Sequence, residues 1–458
     1  PALDVTSRPK LERRWLRPQP NPSDMLDDWM RRFQMGQRSQ YRFGHAFTDW
    51  WDKYGKDHPE YFAVPPANGK HKQPYPKPDR VKLNIGNPDV TDRIIEEWKE
   101  AGKPDNWNVT PNDSAGYCTS AESCGLDLPD VFKAEDIWNS KAPLTRRYIR
   151  FWNQLITKMR VFNPNVTIST YAYQVYRNLP PEPVKLEPGI AVGMIHGYTS
   201  DDRWKAWRAA GALMFLRPNW WHVGGSAPHL PLRYAGNHFK MAADNGMVGF
   251  DFDSITGFWG TQGINYYLIA RLSARPDLSV DDVIAEWVKG FGPAGPAIQE
   301  YLDYWEAYTV KCAFPQERDH SQDPNGLYET TAIKIGVYPR SPLGGSYILM
   351  PYLYTDEVVN PALAILRKAG AAAKSSPVHA KRVKFVRESM GLFLQQREVV
   401  RLLEPKTRKP GESTEDLKKA ITKWRGMRDE FTATFGKLYG GEAVPEPLKK
   451  LAEDLGDF

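Results

Sequence analysis

Between residues 12 and 254, short runs rich in β-branched and aromatic residues alternate with amphipathic stretches of helical period. Strand candidates fall at 12–17, 40–47, 107–111, 166–173, 189–198, 212–218 and 246–254, and helical ones at 23–35, 89–102, 144–161, 201–211 and 229–245. Such alternation predicts parallel strands joined by right-handed crossovers, in an open sheet or a closed barrel. Neither a dinucleotide-binding glycine fingerprint nor a phosphate-binding loop follows any strand, which takes away the usual support for an open nucleotide-binding sheet. The expected fold is therefore α/β, a (β/α)8 TIM-like barrel over 1–280, with seven of the eight strands visible in the pattern. Beyond it the pattern turns to long helices at 281–291, 296–310, 358–374, 378–402, 413–437 and 445–455. A C-terminal α-helical domain over 281–458 is expected, with an irregular Pro- and Gly-rich insert at 312–350.

The 61 Lys and Arg against 55 Asp and Glu leave a net charge of only +6, with no concentrated basic stripe, so a nucleic-acid partner is not expected. No apolar run approaches the roughly 18 residues of a membrane span. Rings are abundant, with 16 Trp, 22 Tyr and 19 Phe, more than one core needs, and surplus rings go to clefts. Three cysteines are too few for a disulfide scaffold or a four-ligand zinc site; Cys118 and Cys124 are close enough to be bridged, or are two free thiols. No cofactor is expected. The chain begins at Pro1 rather than Met, which is compatible with a removed signal peptide, and a periplasmic or secreted location is the expectation.

In parallel α/β barrels the active site is built from loops at the C-terminal ends of the strands. Four long connections, at 52–85, 114–141, 174–188 and 219–228, each follow a strand candidate. In the run 248–254, alternation places Gly249, Asp251 and Asp253 on one face and Phe250 and Phe252 on the other. Carboxylates on an inner wall cost several kcal/mol, roughly, unless paired or used; the plain structural alternative is a salt bridge to a neighbouring strand, with Arg217 as a partner. Pro111 ends another strand and throws Asn112 and Asp113 into the mouth, where Asn can hold a hydroxyl and Asp can move a proton. Taken alone, that turn is ordinary loop chemistry. Together, two carboxyl groups from different strands are what glycosidic cleavage needs, at about 5–5.5 Å for retention or about 6.5–9.5 Å for inversion. His45, Tyr171, Tyr173, His196, Arg217, Trp220 and Trp221 collect at strand ends, and rings with polar tips favour a saccharide. Singly, each reads more simply as core. A zinc site from His45, His196 and Asp113 has no metal-binding spacing behind it, so no metal is expected.

The segments His45-Ala-Phe, His58-Pro-Glu-Tyr-Phe-Ala, Asn84-Ile-Gly-Asn-Pro-Asp-Val, Val109-Thr-Pro-Asn-Asp with Gly116-Tyr-Cys, and the stretch from Asp253 to Tyr267 resemble, in order, the bacterial family called domain of unknown function 4838. The resemblance runs from about residue 28 to 310 and implies a glycoside hydrolase barrel distantly similar to α-glucuronidases. Carried over residue by residue, it puts forward Asn112 and Asp113, then Asp253, with Trp259 and Gln262 behind it. Asp113 is then the expected general acid and Asp253 the nucleophile or base, with Asp251 as the stand-in. The expected partner is a polysaccharide or oligosaccharide, complex and acidic through uronate or sulfate groups, with a non-catalytic glycan-binding barrel as the alternative. Replacing Asp113 and Asp253 singly by Asn separates the two.

Overall fold

The computed structural model describes residues 10–18, 24–36, 40–179, 183–195, 201–222, 226–255, 258–313, 326–336, 342–404 and 406–435. Six strands form one sheet: β1 (Arg13–Pro18), β2 (Asn106–Asn108), β3 (Thr167–Ala172), β4 (Ile190–Met194), β5 (Leu213–Leu216) and β6 (Met247–Ile255). Their order is β1-β6-β5-β4-β3-β2, and β2 through β6 pair in parallel. Every residue of β3 and β4 is buried, as expected of strands covered on both faces.

The sheet is a curled half-barrel, and the closed eight-stranded barrel expected from the sequence is not found among the described residues. Part of the reason lies at 40–47, expected as a strand. Here Arg42 N–H donates to Asn106 Oδ1 at 2.9 Å, Asn108 Nδ2 donates to the Gly44 carbonyl at 2.9 Å, and Ala46 N–H reaches the Thr110 carbonyl at 2.9 Å. Asn side chains thus occupy places that backbone groups would fill in a ladder, and the segment runs beside β2 without joining the sheet.

The same segment plugs the inner face. Register places Tyr171, Gly193, Phe215 and Gly249 opposite one another on β3 to β6. Large and small residues alternate along that row, and Phe43 stacks on Tyr171 at 5.9 Å and meets Phe215 at 5.0 Å. A Cβ on Gly193 would lie 2.9 Å from the Tyr171 ring and 3.2 Å from Phe43, so only a bare backbone fits there.

By contact density the chain divides into two compact units: residues 1–15, 36–218 and 241–251, and residues 16–35, 219–240 and 252–458. The first holds most of the sheet, with the helices Pro88–Glu100 and Thr145–Arg160. The second is mainly helical, with Trp259–Ala274, Val280–Lys289, Gly295–Ala313, Asp356–Ala373, Pro377–Leu403 and Thr414–Phe435. Ser279 and Asp282 close a reciprocal capping box at the start of Val280–Lys289. The insert 312–350, expected to be irregular, contains the helix Gly326–Ile335 and the start of Pro342–Leu353. Pro342 stands at the first helical position, where its missing N–H costs nothing, so proline there marks a helix start. The candidate helix 445–455 lies outside the described residues.

One buried group of the second unit makes a pH prediction. His229 is 1 % exposed, and burial pushes its imidazole down to about 4, with a Trp220 backbone contact pulling the other way. An unfolded His takes up its proton near 6.5, so between 6.5 and about 4 the unfolded chain binds a proton that the native chain refuses. His229 should therefore cost the second unit about 3 kcal/mol as pH falls through that window. Urea unfolding at pH 7 and pH 4.5 should show a smaller acid loss in His229→Leu than in the parent. Equal losses would exclude His229 as the source.

Candidate active site

The site is built in the first unit from the C-terminal ends of β2 and β3 and the loop before Pro88. Pro111 ends β2's line, and the turn that follows is tied down from several sides. The Asn112 amide donates to the carbonyls of Val81 at 2.8 Å and Phe47 at 3.3 Å, and Ser114 Oγ donates to the Arg80 carbonyl at 2.6 Å. Asn112 is only 3 % exposed. Its amide fastens loops, whereas the sequence leads to the expectation of an outward reach for a hydroxyl.

Asp113, next along the turn, keeps its side chain 39 % exposed. Its Oδ1 accepts from Gln174 Nε2 at 3.0 Å, and Gln174 Oε1 in turn accepts from the Tyr117 hydroxyl at 2.8 Å. Gln174 holds this place with φ at 45°, a left-handed backbone costing about 1 kcal/mol for a residue with a side chain. Arg80 donates to the Asp113 backbone carbonyl at 3.1 Å and stands 3.8 Å from its Oδ2. Behind the turn, Lys82 is 2 % exposed, donates to the Asn112 carbonyl and lies 4.5 Å over the Tyr117 ring. Burial pushes the Lys82 ammonium down to about 7, with the charge of Asp113 pulling it back up. Asp113 is partly open to water, with the cations Arg80 and Lys82 on its protein side.

His45 Nδ1 lies 2.7 Å from the Pro111 carbonyl, which can only accept, so Nδ1 carries the hydrogen and Nε2 is the free-electron-pair side of the neutral ring. Burial lowers its proton affinity, Pro111 and Asp113 oppose that, and Lys82 and Arg217 add to it. The His45 ring meets Tyr171 at 5.8 Å and Tyr173 at 6.3 Å. Tyr173 is half-buried, and its hydroxyl is pushed up by burial and then by Asp113. Tyr171 is fully buried against Phe43, with the Arg217 guanidinium 4.7 Å over its ring. It belongs to the packed interior, whereas Tyr173 borders the opening.

The remaining candidates fall elsewhere. Asp251 is completely buried and pairs with Arg13 of β1 at 2.9 Å, a salt bridge to a neighbouring strand of the kind expected as the plain structural alternative. Asp253 follows on the same face of β6, half-buried, and belongs to the second unit. Within that unit Trp220 and Trp221 are 4 % and 1 % exposed. Both pack on Phe252, Trp221 stacked at 4.7 Å and Trp220 edge-on at 5.2 Å, so they are core rings and not open platforms for a sugar. Gln262 is fully buried and donates to the Ala227 carbonyl at 3.0 Å. Trp259 is half-buried, edge-on to Trp29 and Tyr266 at 5.1 Å each. His196 lies outside the described residues. Cys118 and Cys124 are free thiols, and Cys118 Sγ donates to Asn84 Oδ1 at 3.2 Å. Among the described residues no group of three His, Cys, Asp or Glu is placed to hold a metal.

Sequence reasoning missed Arg80, Lys82, Gln174 and Arg13. For Lys82 a signal existed: a lone charge between apolar Val81 and Leu83. For Gln174 and Arg13 nothing local marks them out.

The domain of unknown function DUF4838 matches residues 4–303, well over half of the chain. The chain belongs to the DUF4838 family. The family expected from the motifs is therefore the one found. No curated protein matches this DUF4838 member. Among solved structures it is similar to a family 89 glycoside hydrolase from Clostridium perfringens in complex with PUGNAc, at 14 % identity and TM-score 0.34 over 61 % of this chain and 31 % of that one. It is also similar to a mutant O-GlcNAc hydrolase from Thermobaculum terrenum, at 9 % identity and TM-score 0.35 over 98 % and 97 % of the two chains. A third is a GH138 enzyme targeting pectin rhamnogalacturonan II, at 8 % identity and TM-score 0.26 over 78 % and 59 %. The DUF4838 chain spans about a third of the length of the first of these.

Proposed function

We propose that this protein is a glycoside hydrolase acting on an anionic glycan that bears uronate or sulfate groups, with Asp113 as one of its two carboxyl groups. The observation that carries this reading is the setting of Asp113: one partly open carboxylate at the C-terminal end of a parallel strand, aligned by Gln174 and surrounded by Arg80, Lys82, Tyr173 and His45. The exposed Arg80 guanidinium offers a planar fork that matches a carboxylate or sulfate on the sugar. Two cations beside an open carboxylate support Asp113 as nucleophile or base over the proton-donating role the motif first brings to mind. Asp253, which the family motif puts forward, is the proposed second carboxyl group. A full (β/α)8 barrel goes with this proposal. So does export to the periplasm or beyond, which cell fractionation tests. No described helix is long and apolar enough to cross a membrane.

The test is release of reducing ends from a panel of uronate-bearing, sulfated and neutral polysaccharides. Cleavage is expected for one or more of the anionic members and not for their neutral counterparts. The pairing of Asp251 with Arg13 removes one of the carboxyl groups and favours a second reading, a glycan-binding protein without turnover. Retention of an anionic glycan with no reducing ends from any polymer would select it.

A further inference from the structure

We propose that Lys82 is a positioning residue that acts through Asp113: its buried amine locks the Pro111–Asn112–Asp113 turn from behind and supplies the positive charge that Asp113 faces. This inference rests on the glycosidase reading of Asp113. The geometry is unusual for a lysine. Lys residues are almost never fully buried without a carboxylate in direct contact, yet Lys82 is 2 % exposed and its ammonium is held by a backbone carbonyl, that of Asn112, and by the face of Tyr117. Ordinary packing would put an apolar residue between Val81 and Leu83, at far lower cost.

The Lys82 end of this pair is buried, where fields are less screened than in water, while Asp113 is partly open to solvent. Charged and titratable groups around Lys82 include Asp113, His45, Tyr117 and, two residues back, Arg80. Asp113 favours the protonated amine, whereas burial opposes it. Loss of the proton would remove the positive charge behind Asp113 and leave a neutral amine, a weaker donor to the turn. Lys82 therefore switches the site on its acid side and relaxes it on its alkaline side, the change falling near pH 7.

Two measurements on the full chain test this. In the first, the side-chain nitrogen of Lys82 is titrated by NMR, assigned by its loss in Lys82→Met. Titration near pH 7 is expected, moving to lower pH in Asp113→Asn, because the opposing charge that helped hold the proton is gone. A titration that stays in place in Asp113→Asn overturns the proposal, whether or not any glycan is cleaved. In the second, on a glycan the parent cleaves, Lys82→Met should lower kcat roughly 10- to 100-fold with KM little changed. The alkaline fall near pH 7 should disappear with it. Lys82→Arg keeps its charge at every pH tested, so the alkaline fall should move upward and part of kcat should return. A lysine that only stabilised the fold would lower the melting temperature and leave the alkaline fall where it is, which would also overturn the proposal. Coupled titration without turnover of any polymer would instead retain the coupling and remove the glycosidase reading.

Discussion

Asp113→Asn should abolish glycan cleavage, by about 10³-fold or more, while the protein remains folded and still binds the glycan. Proton transfer and charge stabilisation by one placed carboxylate contribute roughly 10²- to 10⁴-fold, and amide replacement removes the charge without removing the shape. Asparagine keeps an oxygen able to accept from Gln174 Nε2, and the backbone carbonyl that receives Arg80 is untouched. The lost ion pair is an exposed one, 45 % and 39 % open on its two sides, at 3.8 Å, so it contributes about 0–1 kcal/mol to stability. Initial rates on the cleaved polymer, set beside thermal melting, make the comparison. Asp253→Asn should give a loss of the same order if it supplies the second carboxyl group. Asp251→Asn should behave differently, lowering stability because the half-buried Arg13 would lose the charge of its carboxylate partner. Turnover by Asp113→Asn within tenfold of the parent would remove Asp113 from the chemistry.

Arg147→Met should destabilise the first unit by about 3–5 kcal/mol, the largest effect on folding anticipated for a single surface-remote residue. Arg147 and Asp127 are 1 % and 3 % exposed and meet through two bonds, Nε to Oδ1 at 2.9 Å and Nη2 to Oδ2 at 2.6 Å. The third arm, Nη1, donates to the Cys118 carbonyl at 2.6 Å. One guanidinium thus ties the helix Thr145–Arg160 to the 118–127 stretch of the connection that leaves Asp113. Removing it strands a carboxylate that burial already pushes toward its neutral form. Arg147→Lys should recover only part of the loss, since an ammonium cannot make the fork. The pair Arg147→Met with Asp127→Leu should be more stable than Arg147→Met alone, because no charge is left unpaired. Urea unfolding reads all three variants; a single-variant loss below about 1 kcal/mol would show that the fork contributes little.

Much of the first unit could be read from local pattern. Strand runs at 166–173, 189–198, 212–218 and 246–254 became β3 to β6, and the alternation of β6 placed Phe250 and Phe252 in the buried layer as expected. The Pro111 turn was also legible, because proline ends a ladder wherever it stands. The strand expected at 40–47 was not formed, since Asn106 and Asn108 answer its backbone groups with side chains. Trp220 and Trp221, which together suggest a platform for a sugar and singly suggest core, are buried, because ring content says nothing of which side the rings face.

From the amino-acid order alone came the family, the parallel α/β character and the identity of a turn bearing Asp113, because periodicity, breakers and short motifs are properties of neighbours along the chain. Tertiary structure decided the surroundings of each carboxyl group. Arg13 reaches Asp251 and Lys82 comes to lie behind Asp113 only after strands and loops distant in sequence have packed, and electrostatic energy depends on separation in space and on exclusion of water, neither of which is written locally.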